Sequence, residues 1–210
     1  MKKTILYYVY DPMCSWCWGY RPAWQALKQH LESLVDIQYR VGGLAPDSDL
    51  PMPADMQTFL QGVWHKINNQ LGTQFNHDFW TQCQPRRSTY PACRAVLIAR
   101  EHGLEQAMYL AIQEAYYLNA KNPADIETLV ELAQGLGLCG KAFAAQLTSS
   151  EVNQQLLDEI AEVRKMPIQG FPSLVLMVDG HHIAIPLDYQ HWQTSYQAIA
   201  GYLQPIAKST

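Results

Sequence analysis

The sequence has no apolar run long enough to cross a membrane and no concentration of basic side chains. Its 210 residues carry 15 lysines and arginines against 19 aspartates and glutamates, a formal net charge of -4. A membrane-spanning helix needs roughly 18 or more consecutive apolar residues, and none occurs. Nucleic-acid binding requires a basic surface, whereas the basic residues are scattered apart from Arg86-Arg87. We therefore expect neither a membrane nor a nucleic-acid partner.

Cysteine is scarce and odd in number, with five residues. Secreted domains held by disulfides use even sets of cysteines, so the default expectation is reduced thiols. The opening MKKTILYYVY has a basic tip and an apolar stretch like a secretory signal, but no small-residue cleavage site precedes Cys14. The sequence therefore predicts a cytoplasmic protein in which any disulfide is transient and chemical.

The spacing of the cysteines does not favour a metal site. Zinc sites use four ligands, commonly as two close pairs. Cys14 and Cys17 form one close pair, whereas Cys83 and Cys93 are ten residues apart and Cys139 stands alone. We therefore expect no metal. Cys83, Cys93 and Cys139 are interpreted as core or incidental residues, since cysteine packs as a small hydrophobic side chain, with a second redox pair between Cys83 and Cys93 as the open alternative.

Strand-like and helix-like patterns divide the chain. TILYYVY (4–10) predicts a strand buried on both faces, residues 18–34 have helical spacing, and DIQYRVGG (36–43) alternates like a strand. Helical spacing alone then continues to about residue 164. Two apolar runs around Asp179-Gly180 predict a hairpin, and a final amphipathic helix follows. The order βαβ, helices, ββα predicts an α/β chain with one unit at 1–45 and 165–210 and an inserted helical unit at 46–164.

The motif DPMCSWCWG places Cys14 and Cys17 at the end of the first predicted strand. Functional sites of open α/β sheets collect at strand ends. Unpaired N–H groups at the start of the following helix favour a thiolate on Cys14, and the thiolate is the form that attacks a disulfide. The alternative interpretation is a pair of inert buried thiols.

With this motif and the later GFPS, the sequence resembles the DsbA-like thioredoxin family, most closely its FrnE-like branch. More distant members are 2-hydroxychromene-2-carboxylate isomerases and kappa-class glutathione transferases. The resemblance implies a thioredoxin-like fold with a large all-helical insertion and a thiol–disulfide oxidoreductase or isomerase activity. It also implies that Cys14 is the nucleophile, that Cys17 resolves the mixed disulfide, and that Pro172, preceded by Phe171, is a cis-proline facing them.

Two departures from the family refine this expectation. The pair between the cysteines is Ser15-Trp16 rather than the Pro-His of strongly oxidising members, and neither residue adds a positive charge. We therefore expect a mildly reducing centre. Isomerases and kappa transferases usually carry serine where this chain has Cys14, which weighs against those activities. A glutathione-dependent isomerase or transferase acting on a small aromatic compound in the same cleft is the alternative. No cofactor is required, and glutathione is a candidate electron donor or co-substrate.

Several neighbours are expected to support the cysteines. Trp16 and Trp18 are predicted to shield Cys17. Asp11 either assists proton transfer or caps the turn before Cys14.

A second segment, PRRSTYPACRAV, resembles one that approaches the site in related glutathione-using enzymes. There Arg86 and Arg87 can hold carboxylates, and Ser88 or Tyr90 can face the sulfur. The favoured interpretation is a helix start, capped by Ser88 or Thr89, with solvated arginines.

The expected partners are thiol- or disulfide-containing polypeptides or a small thiol, and the chain is expected to be a monomer or a homodimer. A third, non-enzymatic interpretation is a redox-sensing or holding protein that binds partners through its helical block.

Overall fold

The structure, a computed structural model, describes residues 4–203. Among these residues, no helix is both long enough and apolar enough to span a membrane. The element order confirms the predicted βαβ, helical insertion, ββα arrangement of a thioredoxin-like α/β fold. In chain order the elements are β1 (Ile5–Tyr10), α1 (Ser15–Leu31), β2 (Asp36–Val41), α2 (Ala54–Leu71), α3 (Phe79–Gln82), α4 (Tyr90–Glu101), α5 (Glu105–Tyr117), α6 (Ile126–Gly135), α7 (Gly140–Leu147), α8 (Ser150–Val163), β3 (Ser173–Val178), β4 (His181–Ile185) and α9 (Trp192–Leu203).

The four strands form one sheet in the order β2-β1-β3-β4. β1 runs parallel to β2 and antiparallel to β3, which in turn pairs antiparallel with β4. A parallel pair needs a crossover, and α1 supplies it. β1 is therefore central and almost wholly buried, which confirms the expectation from its continuous apolar pattern.

The predicted hairpin joins β3 to β4 through two residues. Asp179 and Gly180 have φ values of 50° and 85°. A two-residue turn of type I′ needs positive φ at both positions, and Asp-Gly is a preferred pair for it. This turn places β4 antiparallel to β3 on one side. On its other side β3, which follows Pro172, pairs with β1.

Helix α1 begins at Ser15, three residues earlier than its apolar spacing predicts, and ends at Leu31. Cys14 is the N-cap residue, with extended backbone angles and no side-chain capping bond. Trp24, Leu27 and Leu31 share a buried face, as their spacing predicts, whereas Leu34, assigned to the same face, lies beyond the end of the helix and is exposed. The early start places the first cysteine at the tip of the helix.

The buried core runs through the sheet and the inserted helices. One cluster of buried side chains includes Tyr8 and Leu176 from the strands and Val96 and Met108 from α4 and α5. The predicted division into a thioredoxin-like unit (1–45 and 165–210) and an inserted helical unit (46–164) remains a proposal.

Candidate active site

Cys14 is held at the tip of α1 by the turn that leaves β1. Its backbone N–H donates to the carbonyl of Asp11 at 3.0 Å, and its own carbonyl accepts from the N–H of Trp18 at 3.2 Å. Cys14 is 8% exposed. Its Sγ donates to the carbonyl oxygen of Phe171 at 3.3 Å, so two segments 157 residues apart in sequence meet at this sulfur.

The segment opposite Cys14 is the Phe171–Pro172 peptide, which is cis. Pro172 is buried and Phe171 is half-buried. The Phe171 ring lies directly over Gly42, where an added Cβ would come within 2.0 Å of the ring carbons. Because no larger residue fits there, Gly42 allows Phe171 to place its carbonyl beside the sulfur.

Cys17 lies one turn along α1 and is completely buried. Both cysteines are free in the structure. Burial raises the pKa of the Cys17 thiol well above its usual value, and the neighbouring Cys14 sulfur raises it further. Cys17 is therefore a protonated thiol at neutral pH, while Cys14 is the sulfur at the cleft.

Asp11 is fully buried beneath this turn and joins three segments of the chain. Its Oδ1 accepts from the N–H of Met13 at 2.8 Å, and its Oδ2 accepts from the N–H of Leu44 and the hydroxyl of Thr89, both at 2.7 Å. Burial raises the pKa of the Asp11 carboxyl, although these hydrogen bonds oppose the shift. The carboxyl thus caps the turn, one of its two predicted roles; the proton-transfer role stays a hypothesis.

A largely apolar cleft of about 330 Å³ opens beside Cys14. Ser15 and Trp16 form part of its wall, and α2 forms much of the other side. Phe59 on α2 is 63% exposed at this cleft. The apolar lining side chains, beyond Trp16, are Met13, Leu44, Ala45, Met52, Phe59, Leu60, Val63, Trp64, Tyr116 and Phe171.

The predicted segment before α4 reaches this cleft through some of its residues. Arg86 and Arg87 line it, as does Thr89. Arg86 pairs with Asp125, so it is not a solvated arginine, whereas Arg87 is exposed. Ser88 does not line the cleft, and its hydroxyl accepts from the N–H of Ser48 at 3.2 Å.

Tyr90 and Thr89, at the start of α4, are both buried. Tyr90 packs near Gly43 and is not among the cleft residues. Thr89 precedes α4 as expected, but its side chain makes no capping bond, because its hydroxyl is engaged by Asp11.

The two tryptophans of the motif lie on different sides of α1. Trp18 is buried, and its indole N–H donates to the carbonyl of Gln74 at 3.0 Å. Trp16 is half-buried and packs edge-on to Tyr189, with ring centroids 5.2 Å apart. Lys66 Nζ lies 5.8 Å from the Trp16 ring centroid.

Sequence reasoning missed four residues that shape this site: Thr89, Gly42, Tyr117 and Tyr189. Tyr117, on α5, donates its hydroxyl to the carbonyl of Met13 at 2.7 Å. Tyr189 lies close enough to the cysteine pair that charge on either sulfur contributes to raising its pKa, after burial. The glycine pair that ends β2 was a visible signal for Gly42, and Thr89 lies in the PRRSTYPACRAV segment, where it was interpreted only as a helix cap. Tyr117 and Tyr189 come from distant segments without a local motif.

Two of the other cysteines make hydrogen bonds, one of them to Asp11 beneath the site. Cys83 Sγ donates to the carbonyl of Ala120 at 3.0 Å, and the buried Cys93 Sγ donates to Asp11 Oδ2 at 3.5 Å. Both are free thiols. Across residues 4–203, no group of three or more histidine, cysteine or acidic side chains could hold a metal ion.

A family model described as a DSBA-like thioredoxin domain matches residues 5–200. The chain belongs to the DsbA-like thioredoxin family. The resemblance seen in the sequence is thereby confirmed. Among solved structures, this DsbA-like protein is similar to a candidate protein disulfide isomerase from Nitrosomonas europaea, with 27% identity, 97% and 98% of the two chains covered and a TM-score of 0.83.

Two further relatives are named for different functions, one for disulfide reduction and the other for an adapter role. The cytosolic disulfide reductase DsbM from Pseudomonas aeruginosa is 25% identical over 94% of this DsbA-like chain and 98% of its own, with a TM-score of 0.75. DsbM is also known in a structure with GSH, at 24% identity and a TM-score of 0.72. The ClpXP adapter protein SpxH of Halalkalibacterium halodurans is 25% identical over 185 residues, which are 85% of this chain and 60% of the adapter. The chain thus spans less than two thirds of that curated relative.

Proposed function

We propose that this protein is a cytoplasmic thiol–disulfide oxidoreductase that exchanges disulfides through Cys14 and Cys17. One observation carries the proposal: Cys14 lies at the N-terminal tip of α1, faces an apolar cleft and contacts the carbonyl before Pro172, while Cys17 lies buried behind it. A sulfur at a cleft with a second sulfur one turn away is the arrangement that exchange chemistry needs.

The proposed reaction has two sulfur transfers. The Cys14 thiolate attacks one sulfur of a substrate disulfide; the other sulfur leaves as a thiolate and takes up a proton. The Cys17 thiol then loses its proton and attacks the Cys14 sulfur, which releases the second substrate thiol. The substrate gains two electrons and two protons, and Cys14 and Cys17 become a disulfide. Two molecules of a small thiol such as glutathione return the pair to the dithiol and leave as their own disulfide.

The centre is proposed to be mildly reducing. Cys14 is the N-cap residue of α1, where unpaired backbone N–H groups carry the partial positive charge of the helix terminus. Ser15 and Trp16 add no positive charge between the cysteines. A strong oxidant requires a much more strongly stabilised thiolate than one helix terminus provides, since the terminus contributes typically about 0.3–1 kcal/mol and at most about 2.

The cleft favours an extended polypeptide as the substrate. The exposed ring of Phe59 and the apolar lining offer contact area for side chains beside a disulfide, and Phe171 offers backbone groups that an extended chain can pair with. Arg87, exposed at the same cleft, is placed to attract a substrate carboxylate. Ser15, Trp16 and Pro172 complete the proposed binding surface.

Trapping the mixed disulfide tests this function. A Cys17→Ser variant, incubated with a disulfide-bonded polypeptide such as insulin, is expected to accumulate a covalent adduct on Cys14, because the resolving attack is lost. Cys139→Ser is the matched control, since that thiol is exposed and makes no contact with the cleft. The role assignment is wrong if mass mapping of the Cys17→Ser variant finds no adduct on Cys14. It is also wrong if the wild type carries as much adduct on Cys139 as on Cys14.

A glutathione-dependent isomerase or transferase is the second candidate function. Support comes from the structure of the relative DsbM, which was solved with GSH. Such an enzyme would bind glutathione in the cleft and act on a small aromatic compound without needing Cys17. Glutathione binding and isomerase or transferase turnover that both survive Cys17→Ala would favour this candidate, whereas insulin reduction that is lost in the variant favours exchange.

A partner-binding role without chemistry is the third candidate, supported by the adapter named among the curated relatives. The double variant Cys14→Ser/Cys17→Ser separates the two classes. Partner binding that is unchanged in this variant favours the adapter or holding role, and loss of all function favours the enzyme.

A further inference from the structure

A second cavity, also of about 330 Å³, lies between α1 and α5. Trp24 on α1 lines it and is ten residues beyond Cys14, about 15 Å along a helix axis. The proposed disulfide exchange makes no use of this cavity. Its volume falls within the range of small-molecule sites and far exceeds that of one buried water.

Aromatic rings form its apolar wall. Tyr8 from β1 and Trp24 stack with ring centroids 4.4 Å apart, and Tyr39 from β2 lies edge-on to both. The indole N–H of Trp24 donates to the hydroxyl of Tyr39 at 3.0 Å, so that donor is already engaged. A wall of ring surface suits a flat, apolar ring system.

Gln113 on α5 also lines the cavity and is 0% exposed. Neither its Nε2 nor its Oε1 has a hydrogen-bond partner among the described residues. Buried side-chain amides nearly always have hydrogen-bond partners, because a buried donor or acceptor without a partner costs the full free energy of desolvation. A ligand that presents an N–H and a carbonyl side by side would satisfy both atoms of this amide.

The remaining polar lining includes two cations. Arg21 forms no ion pair with residues in the 4–203 range, and its Cζ lies 5.7 Å from the Trp18 ring centroid. Lys28 Nζ donates to Gln106 Oε1 at 2.8 Å and lies 3.6 Å from Glu32. None of the described residues lining the cavity is acidic. Because Lys28 already pairs with Glu32, Arg21 is the cation of this lining that most favours an anionic group on the ligand.

We propose that this cavity is a binding site for a planar aromatic carboxylate whose ring carries a lactam edge. The ring packs on Tyr8, Trp24 and Tyr39, the lactam pairs with the Gln113 amide, and the carboxylate faces Arg21 and Lys28. Neither Cys14 nor Cys17 lines the site, and no bond is made or broken in it.

Three probes separate these contributions by isothermal titration of the full chain. 2-Quinolone-4-carboxylate carries both the lactam and the carboxylate, 1-naphthoate keeps the shape and charge without the lactam, and 2-quinolone lacks the carboxylate. The wild type is expected to bind the first at one site and each of the others about tenfold more weakly or worse, the effect of losing one good polar contact. Equal affinity for all three, or no binding at millimolar concentration, overturns the proposal.

Two variants then assign the preferences to residues. Gln113→Leu is expected to remove the preference for the lactam over 1-naphthoate and to raise the thermal midpoint, while insulin reduction stays at the wild-type rate. Arg21→Ala is expected to remove the preference for the carboxylate only. Gln193→Leu, an exposed change on α9, is the control and should change neither preference. A lactam preference that persists in Gln113→Leu contradicts the assignment, and a crystal grown with the probe that shows only ordered water there does so too.

Discussion

At the scale of single residues, Asp11 combines two opposing effects. Three short hydrogen bonds from Met13, Leu44 and Thr89 stabilise its carboxylate, yet complete burial outweighs them and raises its pKa. Buried carboxylates shift upward because losing water penalises the charged form. Asp11 therefore positions the turn before Cys14, and the free energy cost of burying its charged form depends on pH.

The pH dependence of Asp11 gives the first prediction. Because its pKa is higher in the folded chain, the folded chain binds more protons above about pH 4, the usual aspartate value, and this contribution to stability falls as pH rises. Asp11→Asn lacks it. The free energy of unfolding of the wild type minus that of the variant is thus expected to decrease from pH 4 toward pH 7, measured by urea unfolding.

Asp188→Asn provides a control of opposite sign. Backbone hydrogen bonds from Gln190 and His191 lower the pKa of Asp188, so its contribution is present above the usual value and is lost as pH falls. A wild-type-minus-variant difference for Asp11 that is flat or rises with pH would contradict the account.

Gly42 gives the second prediction. Gly42→Ala would place a methyl group on the Phe171 ring, which must shift together with the carbonyl that contacts Cys14. We expect a loss of roughly 1–3 kcal/mol of stability, typical of overpacking, and slower insulin reduction. Gly62→Ala on α2 is the control, since nothing lies within 4 Å of its added Cβ. Unchanged exchange rates in Gly42→Ala would show that the position of Phe171 does not matter.

The residues of the site were predictable to the extent that they lie in local motifs. Cys14 and Cys17 are spaced by one helical turn, and GFPS marks Phe171 and Pro172. That the two motifs face each other was implied by the resemblance to the DsbA-like family. Thr89 and Tyr117 reach the turn through tertiary packing of α4 and α5. Such contacts leave no periodic signal in the sequence.

At the scale of elements, the buried faces were easier to predict than the ends. Apolar spacing identified α1 and the Asp-Gly pair identified the β3–β4 turn. The apolar spacing of α1 begins only at Trp18, because Ser15 and Trp16 do not continue the repeat. The helix start at Cys14 was expected from the position of the cysteine motif after the first strand, and the structure places it there.

Arg100 joins α4 to two other helices and gives the third prediction. Its guanidinium donates to Glu105 of α5 at 2.7 Å and to Glu159 of α8 at 2.5 Å. Arg100→Met leaves two carboxylates facing each other. Removing one partner of a fully buried pair costs about 3–5 kcal/mol, and partial exposure reduces the expected loss to roughly 2–3 kcal/mol.

The exposed pair of Lys121 and Glu131 serves as the comparison for Arg100. Lys121→Met is expected to change the free energy of unfolding by about 0–1 kcal/mol, as for other surface pairs. Equal losses for the two variants in urea unfolding would contradict a supporting role for the Arg100 network.

At the scale of the whole molecule, the continuous buried cluster predicts that the strands and the inserted helices unfold together. Thermal unfolding followed by far-ultraviolet dichroism and by tryptophan fluorescence should give coincident transitions, as a two-state domain does. Two separated transitions would instead support the independent units at 1–45 with 165–210 and at 46–164.

The reduction potential of the Cys14–Cys17 couple tests the central claim most directly. Equilibration of the full chain with a glutathione redox series, followed by thiol counting, should place the potential between about -270 mV and -180 mV, the range from thioredoxin to protein disulfide isomerase. A potential near about -120 mV, that of a strong oxidant, or a pair that never forms a disulfide, would contradict the account.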